Sequence, residues 1–211
     1  MRTLKYLLVI GVLFITQNAF PDETNAPIEQ ITPIVWDFET GETRGWDVPD
    51  WAFEQKDHVA QSVVVSTDVS SPKGGHSLAV MCDFPGDTWT AAVIEYGNDL
   101  DLTGYKTISA DIYLPSKARG DLYQARFILT VGPWWRVEQS QATFLKEGRW
   151  NKITMPLDSN TGWKVRIPAR GIVENITQIR KIGIRIEYNA NPRQGGPRYE
   201  GPVYVDNIII E

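Results

Sequence analysis

Eight tryptophans, with eight tyrosines and seven phenylalanines, stand out in a 211-residue chain that has only two histidines, His58 and His76, and one cysteine, Cys82. Indole rings in that number have two uses. They fill a core, or they lie flat against the C–H face of a ligand such as a sugar, whose hydroxyl rim then needs charged or amide side chains in pairs. Two histidines leave little for His-centred catalysis, and one cysteine excludes an intrachain disulfide and a cysteine-based zinc site. Trp36 and Trp150 lie in or beside strand patterns and read as core. Trp46 and Trp51 flank an Asp-Val-Pro-Asp loop, Trp89 follows Pro-Gly-Asp, and Trp134 and Trp135 follow Gly132-Pro133. These five are the ring candidates for a ligand groove. Because neighbours in an extended chain point to opposite sides, one of the Trp134/Trp135 pair is expected to be buried and the other to face ligand. Trp163 follows a polar loop and could cap either end of the domain.

Polar partners for such rings recur at strand spacing. Gln124 and Arg126 share the non-core side of one apolar alternation, Arg136 and Glu138 alternate after the Trp pair, and Arg185 and Glu187 alternate on another strand. Gln124, Arg126, Arg185 and Glu187 are the candidates for holding hydroxyls, with Tyr188 and Asn189 at the end of the last strand. The bland alternative is a set of cross-strand ion pairs on a solvated surface, worth under ~1 kcal/mol each.

The elements that must position these residues are strands. Ile108, Ala110, Ile112 and Leu114 fall on one face of 106–114, and Tyr123, Ala125, Phe127, Leu129 and Val131 on one face of 122–131. Further strands are expected at 34–38, 52–55, 61–66, 77–84, 90–96, 151–156, 182–188 and 203–210. Gly/Pro/Asn/Asp turns such as Pro72-Lys73-Gly74-Gly75 and Gly97-Asn98-Asp99 separate them. No long window holds a helical period, and 174–180 allows one short turn. About ten short strands with such turns predict an all-β, two-sheet antiparallel β-sandwich of jelly-roll type, with a closed barrel as the alternative.

Three segments in order carry a resemblance: Trp36-Asp37-Phe38-Glu39-Thr40-Gly41 with Gly45-Trp46, then Gly74-Gly75-His76-Ser77-Leu78, then Val203-Tyr204-Val205-Asp206-Asn207-Ile208. Together they resemble carbohydrate-binding modules of the galactose-binding-like β-sandwich group, with a Trp layout similar to mannan- and glucan-binding family 27 or family 11 modules. The resemblance implies non-catalytic binding of a polysaccharide or oligosaccharide, and a separate glycan-degrading enzyme as a possible partner. It also implies a structural calcium at the positions matching Asp37, Glu39, Lys73, His76 and Asp206, the lysine and histidine giving backbone oxygens. Independently, Asp206 shares a strand face with Tyr204, Ile208 and Ile210. A carboxylate there needs a partner, and calcium takes six to eight oxygens from carboxylates and carbonyls.

Two other function classes are weighed. A jelly-roll glycosidase needs two carboxylates roughly 5–10 Å apart, for which Glu138 with Glu187, or Glu95 with Asp111, are candidates. The Glu-x-Asp-x-x-Glu strand motif of jelly-roll glucanases and a Gly-x-Ser-x-Gly elbow are both missing from the sequence, and a lyase would want a Tyr/His pair. A protein-binding sandwich is the third class, since exposed aromatic patches also mark interfaces.

The chain carries a formal charge of −5. Met-Arg-Thr-Leu-Lys followed by an apolar run over 6–15 reads as a secretory signal at 1–20, too short to span a bilayer. Residues 21–32 read as a tether and 33–211 as the folded domain. Removing Arg2 and Lys5 with the leader leaves 19 bases against 26 acids, or −7, a poor balance for nucleic acid. The expected location is secreted, periplasmic or at the cell surface, with no membrane insertion of the mature chain. Asn175-Ile176-Thr177 matches a glycosylation acceptor.

Overall fold

The computed structural model describes residues 31–211 apart from 72, 120–121, 168–169 and 191–194. The expected signal segment lies outside the described residues, as does nearly all of the tether. Twelve strands follow in chain order: β1 (Ile34–Trp36), β2 (Trp46–Asp47), β3 (Ala60–Ser66), β4 (Ser77–Phe84), β5 (Trp89–Tyr96), β6 (Thr107–Leu114), β7 (Tyr123–Val131), β8 (Arg136–Gln139), β9 (Thr143–Phe144), β10 (Arg149–Pro156), β11 (Ile179–Asn189) and β12 (Tyr199–Ile210). They make two six-stranded antiparallel sheets. Sheet A has the order β10-β6-β12-β4-β3, with β1 beside the end of β12. Sheet B has the order β2-β5-β11-β7-β8, with β9 also on β7. This is the expected two-sheet β-sandwich. Among the described residues, no helix is long and apolar enough to cross a membrane.

Alternation decides what each sheet buries. Ile108, Ala110, Ile112 and Leu114 of β6 meet Tyr123, Ala125, Phe127 and Leu129 of β7 and Ile182, Ile184 and Ile186 of β11 in one core. Burying a Leu, Ile or Phe side chain contributes about 1.5–3 kcal/mol, so such stripes hold the layers together. All nine residues of β7 are buried. Its core-facing residues lie under sheet A and its outward ones are covered by neighbouring side chains.

The structure corrects several expectations. Residues 52–55 are not a strand; a short helix α1 runs Asp50–Phe53, entered through Pro49. The single turn expected at 174–180 is a 3-10 turn at Val173–Asn175, and Ile179 already begins β11. Trp46 is 0% exposed. It packs edge-on against Trp36 with centroids 5.8 Å apart and lies 5.9 Å from Tyr96, so it is a core ring and not a ligand ring. Trp150 moves the other way. The core-facing residues of β10 are Ile153 and Met155, and the parity of the strand puts Trp150 on the outer side. There its indole N–H donates to the Ser70 carbonyl at 3.0 Å. Trp163 is buried, donating to the Pro156 carbonyl at 2.7 Å.

A groove on the outer face of sheet B

The outward parity of β5, β7, β8 and β11 defines one surface. Glu95, Ile128, Thr130, Val137, Gln139, Lys181 and Arg185 floor a groove of about 430 Å³, and Trp51, His58 and Trp135 wall it. Gly183 lies in this floor between Ile128 and Glu95, where a Cβ would already sit 3.4–3.5 Å from both.

The walls are built by different means. Trp51 comes from α1; its ring meets His58 edge-on at 4.8 Å and its indole N–H reaches Glu95 Oε2 at 3.4 Å. A bridge between His58 and Ala91 of β5 fixes that side. Trp135 comes from the tight β7–β8 connection. Gly132 and Trp135 both adopt left-handed backbone, at φ 69° and 51°. For a bulky residue this costs on the order of 1–3 kcal/mol and persists only where surroundings impose it, which is a common condition of binding sites. Trp135 remains 57% exposed, with the Arg180 guanidinium 5.6 Å from its ring centre. Arg180 is itself held by Asp99 at 2.6 Å. Because the chain turns here, neither tryptophan of the pair is buried, contrary to the extended-chain expectation. Trp134 is 72% exposed and does not line the groove. Trp89 flanks the groove, with the Arg185 guanidinium 5.9 Å from its ring centre.

The polar candidates share the expected sheet face, but only Arg185 opens into the groove. Glu187 is 2% exposed and anchors the others. Its Oε2 accepts from Gln124 at 2.5 Å and from Arg126 at 2.8 Å, and its Oε1 pairs with Arg185 at 2.5 Å. Arg126 also donates to the Ser140 carbonyl, and β9 pairs with β7 beside Gln124. These neighbours cover the network, so Gln124, Arg126 and Glu187 hold Arg185 in place and do not present a hydrogen-bonding surface of their own. Burial draws the Arg185 guanidinium below its ordinary value, opposed by Glu187 and reinforced by Arg126. Arg185 donates onward to Gln139 at 3.0 Å, and Lys181 to Glu95 at 2.8 Å, so the floor is an ordered set of donors and acceptors.

Sequence reasoning missed His58, Ile128, Thr130, Val137, Gln139 and Lys181 as groove residues, and met Glu95 only as a carboxylate. Parity would have found some of them. Stepping by two from Arg126 leads to Ile128 and Thr130, and from Arg185 back to Lys181. His58 had no local signal.

The five residues matched to calcium are only partly assembled. Glu39 Oε1 accepts from the Gly75 and His76 backbone N–H groups, both at 2.9 Å, and Oε2 lies 3.4 Å from the His76 ring. These two backbone bonds hold its carboxyl below the usual range. A Cβ at Gly74 would come within 2.2 Å of Glu39 Oε1, so a side chain there would displace that carboxylate. Asp206 is buried, and burial, with Glu39 and Asp111 adding like charge, pushes its pKa up to about 6. It accepts from the Asn207 N–H at 2.7 Å across a bulge where Asn207 has φ 46°. Asp37 is half-exposed beside Arg44 at 3.9 Å, and Lys73 is exposed. Among the described residues, no three His, Cys, Asp or Glu side chains converge as a metal-binding group.

The candidate glycosidase pairs do not converge. Glu95 lies outside sheet B and Asp111 outside sheet A. Glu138 pairs with Arg136 on the opposite side of sheet B from Glu187.

The family profile described as mannanase, galactose-binding domain-like matches residues 36–207. The chain belongs to that family. Its resemblance to carbohydrate-binding modules of the galactose-binding-like group is thereby established. Among solved structures, the module is similar to CBM27-1 of Caldicellulosiruptor saccharolyticus, solved with mannohexaose, at TM-score 0.57 and 18% identity over 86% of this chain and 98% of that one. It is similar to CBM28, described as specific for non-crystalline cellulose, at TM-score 0.56 and 16% identity over 83% and 91%. It also matches 24% of an exo-β-agarase, at TM-score 0.53 and 15% identity over 83% of this chain. At these identities the three likenesses speak for the fold alone. No curated protein matches the chain significantly.

Proposed function

We propose that this module binds a β-linked polysaccharide of mannan or glucan type in the sheet B groove and does not cleave it. The observation that carries the reading is the groove: Trp51 and Trp135 line it together with Glu95, Lys181, Arg185 and Gln139. Rings accept sugar C–H faces and the floor accepts and donates to hydroxyls. The mannanase-associated family and the mannohexaose complex of CBM27-1 support the mannan choice. The separation of the candidate carboxylates supports the non-catalytic half. A secreted, periplasmic or cell-surface protein serving a separate glycan-degrading enzyme fits this role. The test is affinity electrophoresis in gels containing soluble β-mannan or mixed-linkage β-glucan, with a reducing-sugar assay alongside. Retardation on at least one gel without sugar release is expected. Free migration on both, or sugar release, contradicts the proposal.

A calcium belongs to the same proposal. Asp206 and Glu39 would supply carboxylate oxygens, with Asp37 and the Lys73 and His76 carbonyls as further candidates. What supports it is Asp206: a buried acid facing the like charges of Glu39 and Asp111, with only neutral Asn207 and Ser71 as hydrogen-bond partners among the described residues. A bound cation would remove that repulsion and join the opening segment to β12.

A further inference from the structure

The outer face of sheet A, on the far side of the sandwich from the groove, carries a row of aromatic rings among its polar residues. Trp150 of β10, Tyr113 of β6 and Tyr204 of β12 stand directly opposite one another across three neighbouring strands. Their rings follow in sequence, Tyr113 lying 5.6 Å from Trp150 in a tilted pair and 6.2 Å from Tyr204 in an edge-to-face pair. The loop before β4 crosses above them, where Ser70 accepts from Trp150 and Val69 accepts from the Ser77 hydroxyl. Between this loop and the rings is a cavity of about 410 Å³ lined by Tyr113, Tyr204, Val69 and Pro202, with Lys117 and Glu200 also lining it.

Two features mark the cavity as more than packing. Among the described residues, the Tyr113 and Tyr204 hydroxyls have no hydrogen-bonding partner, whereas the neighbouring Tyr199 hydroxyl donates to the Pro202 carbonyl at 2.7 Å. Lys117 likewise has no ion-pair partner there, while Glu200 holds Arg198 at 3.2 Å and keeps acceptor capacity. Aromatic walls beside a cation and an anion are common to this cavity and the sheet B groove, and here the rings add free hydroxyls. They suit a neutral polyhydroxylated ligand, with C–H faces for the rings and hydroxyls that both donate and accept. The volume is that of a small-ligand pocket and accommodates a short stretch of sugars.

We infer that this cavity is a second saccharide site, taking one or two units of the same polysaccharide as the groove, so that one module holds two chains on opposite faces. The class of ligand rests on the polysaccharide reading above; the site itself rests on Tyr113, Tyr204, Lys117 and Glu200. The test is a titration of the full chain, isotope-labelled for NMR, with mannohexaose and separately with cellohexaose to millimolar concentration. Wild type, a groove variant (Trp51→Ala with Trp135→Ala) and a cavity variant (Tyr113→Phe with Tyr204→Phe) are compared. The Phe changes keep the rings and remove only the hydroxyls, so the fold is retained. Saturable shifts at 113, 117 and 204 that survive in the groove variant, and that need about five-fold or more oligosaccharide in the cavity variant, are expected. Wild-type shifts confined to the groove overturn the second site and leave the groove reading standing. Shifts confined to sheet A overturn the groove reading and leave the second site standing. No shift with either sugar overturns both.

Discussion

Trp134 and Trp135 are neighbours in sequence with separate fates, and that difference can be tested. Trp135 walls the groove on strained backbone, while Trp134 projects outside it. Trp135→Ala is expected to weaken polysaccharide binding by roughly 1–3 kcal/mol, the usual effect of removing an aromatic anchor, and Trp134→Ala to leave it within about 0.5 kcal/mol. Calorimetric titration of both variants checks this, and equal losses would contradict the assignment. Asp206 makes a second prediction. Its folded-state pKa is raised to about 6, above the unfolded value of ~3.9. The folded state therefore binds the proton more tightly. In metal-stripped protein this contribution to stability is complete below about pH 4 and lost as pH rises through 6. Denaturant melts should show stripped wild type losing stability relative to Asp206→Asn between pH 4 and pH 7; parallel curves would speak against a strained, uncompensated acid. The limits of sequence reading are plainest at this scale. Trp46 sits in Gly-Trp-Asp-Val-Pro-Asp and reads as loop, because its strand is two residues long and its packing partners, Trp36 and Tyr96, are distant in sequence. Trp150 was legible by parity, since Ile153 and Met155 claim the inward side of β10 and an even-numbered position cannot share it.

The strands were the most legible elements, because period-two alternation is a local signal: β4 spans 77–84 as expected and β6 and β7 differ from expectation by one residue at one end. Alternation also assigned Gln124, Arg126, Arg185 and Glu187 to one face. It could not say that a connection fourteen or more residues away covers three of them, so a surface of sugar ligands in sequence became a buried support for Arg185. The short elements β2, β9 and α1 escaped for the same reason, since their existence depends on long-range pairing, and β8 showed only as the Arg136/Glu138 alternation. The support itself is testable. Glu187→Ala leaves the buried Arg126 and part-buried Arg185 uncompensated and is expected to destabilise the fold by about 3–5 kcal/mol. Chemical denaturation measures it, and a loss under about 1 kcal/mol would mean the ion pairs are not coupled. The glycine loop before β4 and the bulge of β12 bring Glu39 and Asp206 near each other. If a calcium joins them, metal stripping lowers the melting temperature by several degrees and added calcium restores it; an unchanged melting temperature argues against the ion.

At the scale of the whole molecule, the β-sandwich class and its three ordered signatures were readable, and the family match across 36–207 agrees with them. The site was readable as a kind of chemistry, rings beside paired polar groups, though not as a place. Its concavity comes from β5, β11, β7 and β8 lying side by side, which no local pattern states. The rest of the proposed function depends on Trp51 and Trp135 gripping a sugar chain between them. Isothermal titration of wild type and the Trp51→Ala, Trp135→Ala double variant with soluble β-mannan and mixed-linkage β-glucan tests it most directly, with a thermal melt of the variant to show that it is folded. Near-micromolar binding of at least one polysaccharide by wild type and a loss of ten-fold or more in the variant are expected. A folded variant that binds as tightly as wild type contradicts that grip.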